Sequence, residues 1–192
     1  IVKLNKPNTN TDTFGHGLSS APEMIILKRT ASADDWYVFH KDLGNTVRIS
    51  LNSSAAKVTG TGVWGSTTPT SSVFTLQNQS GGDHIAYCWY SVTGHSKIGT
   101  YTATGSAGSP TVTTGFQPKF VMVKNVDKNQ EWVVLDSARN NGANSLLPNS
   151  SAAENTAGDN AITFGSTGFT IAASGSGVNY QSGDTFVYMA FK

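Results

Sequence analysis

The two halves of this chain carry the same motifs in the same order, and this internal repeat limits the fold more than any other feature. Pro22 and Pro118 are 96 positions apart. A lysine and a tryptophan follow each proline at the same distances, namely Lys28 with Trp36 and Lys124 with Trp132. Three further pairs of segments match in order: 52–56 with 149–153, 72–76 with 167–171, and 82–87 with 183–188. A repeat of this length is one structural unit used twice, and a seam near 94–97 gives a first β repeat over 1–97 and a second over 98–192.

Each half has the pattern of a series of short β-strands separated by polar turns. Residues 23–30 and 119–126 are apolar or β-branched runs of strand length. The runs 36–39 and 185–191 are apolar at consecutive positions, which is typical of strands covered on both faces. No window shows a convincing helical period. The sequence therefore predicts an all-β fold, a β-sandwich in which the two related halves are in pseudo-twofold arrangement and together form one compact domain.

The charge pattern excludes two classes of partner. Only 13% of the residues are charged, the net charge is +1, and no basic run stands out. Nucleic-acid binding needs clustered Lys and Arg, so no nucleic acid is expected. No stretch approaches the roughly 18 apolar residues of a membrane helix, so no membrane insertion is expected. The chain starts at Ile1 without a signal peptide, as a fragment or processed piece of a larger protein would.

The potential ligands of a metal ion are few and scattered. Cys88 is the only cysteine and lies in an apolar run, so it should be a buried free thiol. The four histidines show no metal-ligand spacing. The acidic and amide side chains of loops 31–35 and 127–130 could offer oxygens to Ca²⁺, but the EF-hand spacing is missing and Lys128 opposes a cation there. No metal and no cofactor is predicted, and calcium in these two loops is left open.

The carboxylates and hydroxyls do not form a catalytic pattern. Most of the 12 acidic residues occupy turns, where Asp caps backbone N–H groups. Asp83 and Asp184 lie in matching Gly-Asp turns, which turn geometry explains. No pair of carboxylates suited to glycoside hydrolysis can be located, and no Gly-x-Ser-x-Gly elbow occurs. We expect that the chain is not an enzyme.

Exposed aromatic rings are the best indication of a binding surface, because a sugar ring stacks on a flat Trp or Tyr beside hydroxyl and amide groups. Trp36 and Trp132 repeat, which indicates core positions. Trp64 has no tryptophan counterpart and lies in a turn-like Gly-Val-Trp-Gly segment, so we expect it to be exposed. The predicted ligand-binding residues are Trp64, Tyr101, Tyr180 and His16. His16 could instead cap a loop.

Several motifs together resemble a known repeat. They are Gly15–Leu18, Ala21–Lys28, Ser71–Leu76, Ile85–Trp89, Gly94–Thr102, Thr114–Pro118 and Asp136–Asn140. This set resembles the duplicated β-rich repeat of unknown function in tail-fibre and related virion structural proteins of marine, cyanophage-type bacteriophages. The resemblance covers essentially the whole chain, except at residues 3–11, where a Tyr-Thr-Gly-rich segment would be expected. It implies a virion-exposed domain and supplies no catalytic or ligand residues.

The resemblance and composition together predict a virion structural or fibre domain, on the virion surface or extracellular, that serves display or host-receptor attachment, the receptor being a glycan. Its partners would be other virion or fibre subunits, in a homo-oligomer for which fibre proteins in general suggest a trimer. Two alternatives stay open. One is a free-standing carbohydrate-binding module or adhesin, which an aromatic platform on one half only would favour. The other is a purely architectural capsid-decoration or filament subunit.

Overall fold

The computed structural model describes residues 1–60, 62–174 and 177–192. Within these ranges the chain is built from antiparallel β-strands, with a single short 3₁₀ turn at Asn140–Gly142. The predicted all-β fold is confirmed. Of the described residues, none belongs to a helix long and apolar enough to cross a membrane. The chain divides into two compact units, the first of residues 1–51 with 57–90 and the second of 52–56 with 91–192.

The first unit is a sandwich of two sheets. Its strands are β1 (Val2–Lys6), β2 (Thr11–Gly15), β3 (Met24–Arg29), β4 (Tyr37–His40), β5 (Val47–Ser50), β6 (Val58–Thr59), β7 (Val73–Gln77) and β8 (Gly82–Trp89). The larger sheet has the order β1-β8-β3-β4-β5-β6, and β2 pairs with β7 in the smaller one. Ile25 and Phe39 of the larger sheet meet Phe74 and Leu76 of the smaller sheet in one buried core.

The second unit repeats this plan with its own core. Its strands are β9 (Ser96–Thr102), β10 (Thr111–Thr113), β11 (Phe120–Asn125), β12 (Trp132–Asp136), β13 (Ser145–Leu146), β14 (Ile162–Gly165), β15 (Gly168–Ile171) and β16 (Thr185–Phe191). The sheets have the orders β13-β12-β11-β16-β9 and β10-β15-β14. Side chains of both sheets, among them Val121 and Phe169, share a core. β16 is buried from Phe186 to Ala190, as its unbroken apolar run predicts.

Matching backbone hydrogen bonds define which positions of the two units are equivalent. The Glu23 N–H donates to the Trp89 carbonyl at 2.7 Å, and the Lys119 N–H donates to the Phe191 carbonyl at 2.7 Å. The Lys41 N–H donates to the Glu23 carbonyl at 2.9 Å. The Ser137 N–H donates to the Lys119 carbonyl at the same distance. Glu23 is therefore equivalent to Lys119, Lys41 to Ser137, and Trp89 to Phe191.

This equivalence corrects the sequence match of the last strands. The Gly-Asp motif pairs Tyr87 with Tyr188, but the ladder bonds make Met189 the structural counterpart of Tyr87. Tyr188 points into the core of its unit. In the first unit Ala86 and Cys88 point into the core, and Tyr87 between them lies on the opposite face of the strand. A shift of one residue reverses the face of every side chain in a strand, so the motif match was wrong by one position.

The boundary between the compact units differs from the sequence seam. The second unit begins at Ser91 and also takes residues 52–56 from the first repeat. Two contacts hold that segment: the Lys124 Nζ donates to the Ser54 carbonyl at 3.1 Å, and the Ala56 N–H donates to the Asn129 Oδ1 at 3.0 Å. A five-residue segment of one repeat is thus part of the other unit, which sequence similarity alone does not indicate.

Candidate functional site

Trp64 does not offer an exposed platform. Its side chain is 1% exposed and meets the Phe39 ring edge-on at a centroid distance of 5.7 Å. The turn that contains it closes with a hydrogen bond from the Gly65 N–H to the Gly62 carbonyl. Gly65 has a φ of +67°, and a Cβ there would lie 2.5 Å from the Thr75 Cγ2, so the glycine permits the turn to press against β7. The prediction that Trp64 is exposed is wrong.

Tyr101 is also a core residue. It is 7% exposed, and its ring stacks on Phe186 at 4.9 Å with an interplanar angle of 8°. Its hydroxyl donates to the Val178 carbonyl at 2.7 Å, and burial raises the pKa of this phenol well above its ordinary value. A ring packed in this way cannot stack on a sugar. The prediction of Tyr101 as an accessible contact is wrong.

His16 and Tyr180 have different environments. His16 is 4% exposed, and its Nδ1 accepts a hydrogen bond from the Leu18 N–H at 3.1 Å. Its Nε2, 3.1 Å from the Thr70 carbonyl, must then be the protonated nitrogen. His16 therefore caps a loop, which is one of the two roles considered for it. Tyr180 is 43% exposed, and its role in binding stays a prediction.

Three partly buried aromatic side chains in the first unit form what we call the aromatic row: Trp36, Tyr87 and Trp89. Their rings are close to parallel, with centroid distances of 6.4 Å between Trp36 and Tyr87 and 6.1 Å between Tyr87 and Trp89. Tyr87 and Trp89 project from the face of β8 that is opposite to the unit's core. The Lys28 Nζ lies 6.0 Å from the centre of the Trp36 ring. The row is thus an ordered, partly buried aromatic cluster on the outer face of the sheet, beside the buried Met24 and Ile26.

The second unit does not repeat this surface. The structural counterparts of Tyr87 and Trp89 are Met189 and Phe191, and Trp132, the counterpart of Trp36, is only 1% exposed. Sequence reasoning missed the row because it assigned both repeated tryptophans to the core. That assignment fits Trp132, whereas Trp36 is only partly buried. The difference between the repeats at Tyr87 and Trp89 was the available signal, and the one-residue error in the match concealed it.

The loops considered for calcium are organised around lysine ammonium groups and backbone caps. The Lys28 Nζ donates to the carbonyls of Ser32 and Asp34, at 3.0 and 2.5 Å. In the second unit the Asp127 carboxylate accepts from the Thr185 N–H at 2.7 Å. Over the described parts of the chain, no group of three or more His, Cys, Asp or Glu side chains could hold a metal ion.

Lys124 should give the second unit an unusual pH dependence. Burial lowers the pKa of this lysine from 10.5 to about 8, although Glu131 partly opposes the shift. The folded state binds this proton less tightly than the unfolded chain does, so we expect the free energy of unfolding to rise between about pH 8 and pH 10, by on the order of 1–2 kcal/mol. Urea unfolding at a series of pH values measures this.

The control for the pH series is another lysine substitution. Lys124→Met should remove most of the rise, whereas Lys3→Met, which changes an exposed lysine, should retain it. Measurements should stop near pH 10, because the raised pKa of Tyr101 makes ionisation of this phenol destabilising above that value. An equal slope in wild type and Lys124→Met would contradict the assignment.

Comparison with known proteins gives one match over the whole length of the chain. The model of a family described as a domain of unknown function, DUF7483, matches residues 1–192. The chain belongs to this family. No curated protein and no solved structure matches the chain. The DUF7483 family description carries no activity or ligand, so a function for this member has to be argued from its own residues.

Proposed function

We propose that this DUF7483 domain is a glycan-binding attachment domain, and that the aromatic row of the first unit is its receptor-binding surface. The observation that carries the proposal is that the row is present in one repeat only. The second unit forms the same strands and its own core without such a row, so the strand plan does not require it. The row therefore supports a role in binding.

The geometry of the row suits the apolar face of a sugar. Aromatic rings attract C–H groups and bury large areas. A pair of aromatic rings stabilises a contact by about 0.5–1.5 kcal/mol beyond the effect of the buried area. The three side chains are partly buried, so part of each one is accessible to a ligand. Tyr87 and Trp89 lie on β8, an interior strand of a six-stranded sheet, so little ordering entropy remains to be lost on binding.

The proposed setting is the surface of a virion, as part of a fibre or related structural protein. The low charge and the resemblance to repeats of phage fibre proteins support this setting. Fibres are symmetric oligomers, and several weak sites on one particle bind a cell surface together with a large gain in avidity. A free-standing carbohydrate-binding module or adhesin would use the same surface, and the presence of the row in one unit only favours this alternative.

A substitution taken from the second unit tests the proposal. Tyr87→Met combined with Trp89→Phe copies Met189 and Phe191 at equivalent ladder positions, so the strand should form normally. Loss of the Tyr87 ring and of part of the Trp89 ring face should weaken glycan binding roughly tenfold. The measurement is binding of the purified chain, on a multivalent carrier, to a glycan array and to marine bacterial cells.

Tyr180→Ala is the matched comparison, because it removes an exposed tyrosine of the second unit. Wild-type binding by this variant would support the row as the site and would contradict the sequence-based prediction for Tyr180. Loss of binding in Tyr180→Ala alone would move the site to the second unit. No saturable binding by the folded wild type would overturn the proposal and leave the architectural role.

A further inference from the structure

A concave pocket of about 410 Å³ lies in the first unit, apart from the rings of the aromatic row. Its volume is in the usual range for small-ligand sites, about 300–1,000 Å³. Three apolar side chains, Phe39, Pro22 and Pro69, contribute to its wall. Phe39 is 2% exposed and is backed by the buried Trp64 ring. All three apolar residues are buried, so they form the packed floor of the pocket and expose little of their side chains to it.

The charged side chains of the pocket form a neutral pair. The Lys41 Nζ lies 3.2 Å from the Glu23 Oε1, with side chains 36% and 23% exposed. Both groups line the pocket, together with the amide of Asn45. Carboxylate, ammonium and amide groups offer both donors and acceptors to a ligand, while their charges cancel. Such a lining suits a ligand that carries hydroxyl groups and no net charge.

The polar lining is a departure from the repeat. At the equivalent positions the second unit has Lys119 in place of Glu23 and Ser137 in place of Lys41, joined by the same backbone bond. The second unit folds without the ion pair, so the pair is not required by the strand geometry. As with the aromatic row, a feature confined to one repeat points to a ligand.

We infer that this pocket binds one neutral hexopyranose residue. Glu23, Lys41 and Asn45 would bind its hydroxyl groups, and the sugar would rest above the floor that Phe39, Pro22 and Pro69 form. An acidic sugar would compete with Glu23 for Lys41 and place two carboxylates close together, so neutral sugars should be preferred. The inference rests on the proposed glycan-binding function and adds the ligand class and a second subsite.

Free methyl hexopyranosides titrated into the whole chain, followed by NMR, test the inference directly. A ligand of this size should bind with a Kd on the order of 1 mM. Lys41→Ser, and the double variant Glu23→Lys with Lys41→Ser, copy the second unit and should keep the fold. Loss of a charged hydrogen-bonding group should weaken binding at least about tenfold, and Lys3→Ser, at an exposed position, should bind like wild type.

Each contrary outcome has a definite meaning. The inference is overturned if no neutral hexoside binds at about tenfold the expected Kd, if hexuronic acids bind more tightly, or if Lys41→Ser binds like wild type. It is also overturned if Trp89→Phe alone abolishes hexoside binding, since the sugar would then lie on the aromatic row. Array binding that depends on the row without any hexoside binding would refute the pocket and leave the proposed function standing. If hexoside binding depends on Lys41 and array binding is unaffected by the row variants, the aromatic row is refuted as the receptor-binding surface and the pocket is supported.

Discussion

Trp64→Ala should lower the free energy of unfolding of the first unit by about 3–5 kcal/mol, the cost of emptying a large core site. The indole is 1% exposed, and it is one of the two largest fully buried side chains. It packs edge-on against Phe39 and lies in the same core cluster as Phe74 and Leu76. Alanine would leave a cavity between the sheets that the strands cannot close without moving.

Cys88 provides a reporter specific to the first unit. The thiol is 8% exposed, and burial raises its pKa to about 11, so it should react slowly in the folded protein. A thiol reagent added along a urea series should modify Cys88 in Trp64→Ala at clearly lower urea than in wild type. Equal urea midpoints for the two proteins would contradict the core placement of Trp64.

Trp64→Phe is the matched control for the cavity. Across the described residues, the buried Trp64 Nε1 has no hydrogen-bond partner, and an unpaired buried donor is destabilising by about 1–3 kcal/mol. Phenylalanine removes this donor while it keeps most of the ring, so we expect a loss below about 1.5 kcal/mol. The contrast between the two variants also matters for binding assays, because Trp64→Ala would reduce binding through unfolding.

The sequence predicted those parts of the fold that depend on local patterns. The runs 23–30 and 119–126 became β3 (Met24–Arg29) and β11 (Phe120–Asn125). Strand length, a preceding proline and β-branched residues are properties of a short segment, so a single sequence reveals them. Because the halves repeat, a strand predicted in one half also predicts a strand at the matching position of the other half.

The exposure of single side chains could not be predicted in the same way. Trp64 and Tyr101 lie near glycine and serine residues, which usually indicate surface loops. Their burial depends on distant segments: Thr75 faces the turn of Trp64, and the Val178 carbonyl accepts from Tyr101. Such partners are known only when the chain is folded, so composition around a residue is a poor guide to its exposure.

The candidate site was visible in the sequence only as differences between the repeats. Glu23 against Lys119 and Lys41 against Ser137 can be read directly at a spacing of 96. Their significance depends on Pro69, which comes from a segment far along the chain and lines the same pocket. The aromatic row additionally required the correct register of β8, which ladder hydrogen bonds give and motif matching does not.

Asn179→Ala should lower the free energy of unfolding of the second unit by on the order of 3–5 kcal/mol, because backbone groups lose their hydrogen-bond partner. The side chain is 0% exposed. Its Oδ1 accepts from the N–H groups of Thr104 and Gly105, each at 3.0 Å. Its Nδ2 lies within hydrogen-bond distance of the carbonyls of Ser106, Ser109 and Ala173. One amide thus joins the 104–109 loop to the segment before Tyr180, and alanine would leave these backbone groups without that partner.

Two neighbouring substitutions separate this network from a general effect of position. Tyr180→Ala changes the adjacent, exposed side chain and should alter the free energy of unfolding by less than about 0.5 kcal/mol. Asn179→Asp keeps the acceptor oxygens for Thr104 and Gly105 but turns a carboxylate oxygen toward carbonyl groups. Because an acceptor facing acceptors is repulsive and a buried charge is costly, Asn179→Asp should be at least as destabilising as Asn179→Ala at neutral pH. Urea unfolding followed by the fluorescence of Trp132, the one tryptophan of the second unit, measures all three, in a background where Trp36, Trp64 and Trp89 are phenylalanine. An aspartate variant as stable as wild type would show that the Nδ2 bonds contribute nothing, and the loop would then be held by the two N–H bonds alone.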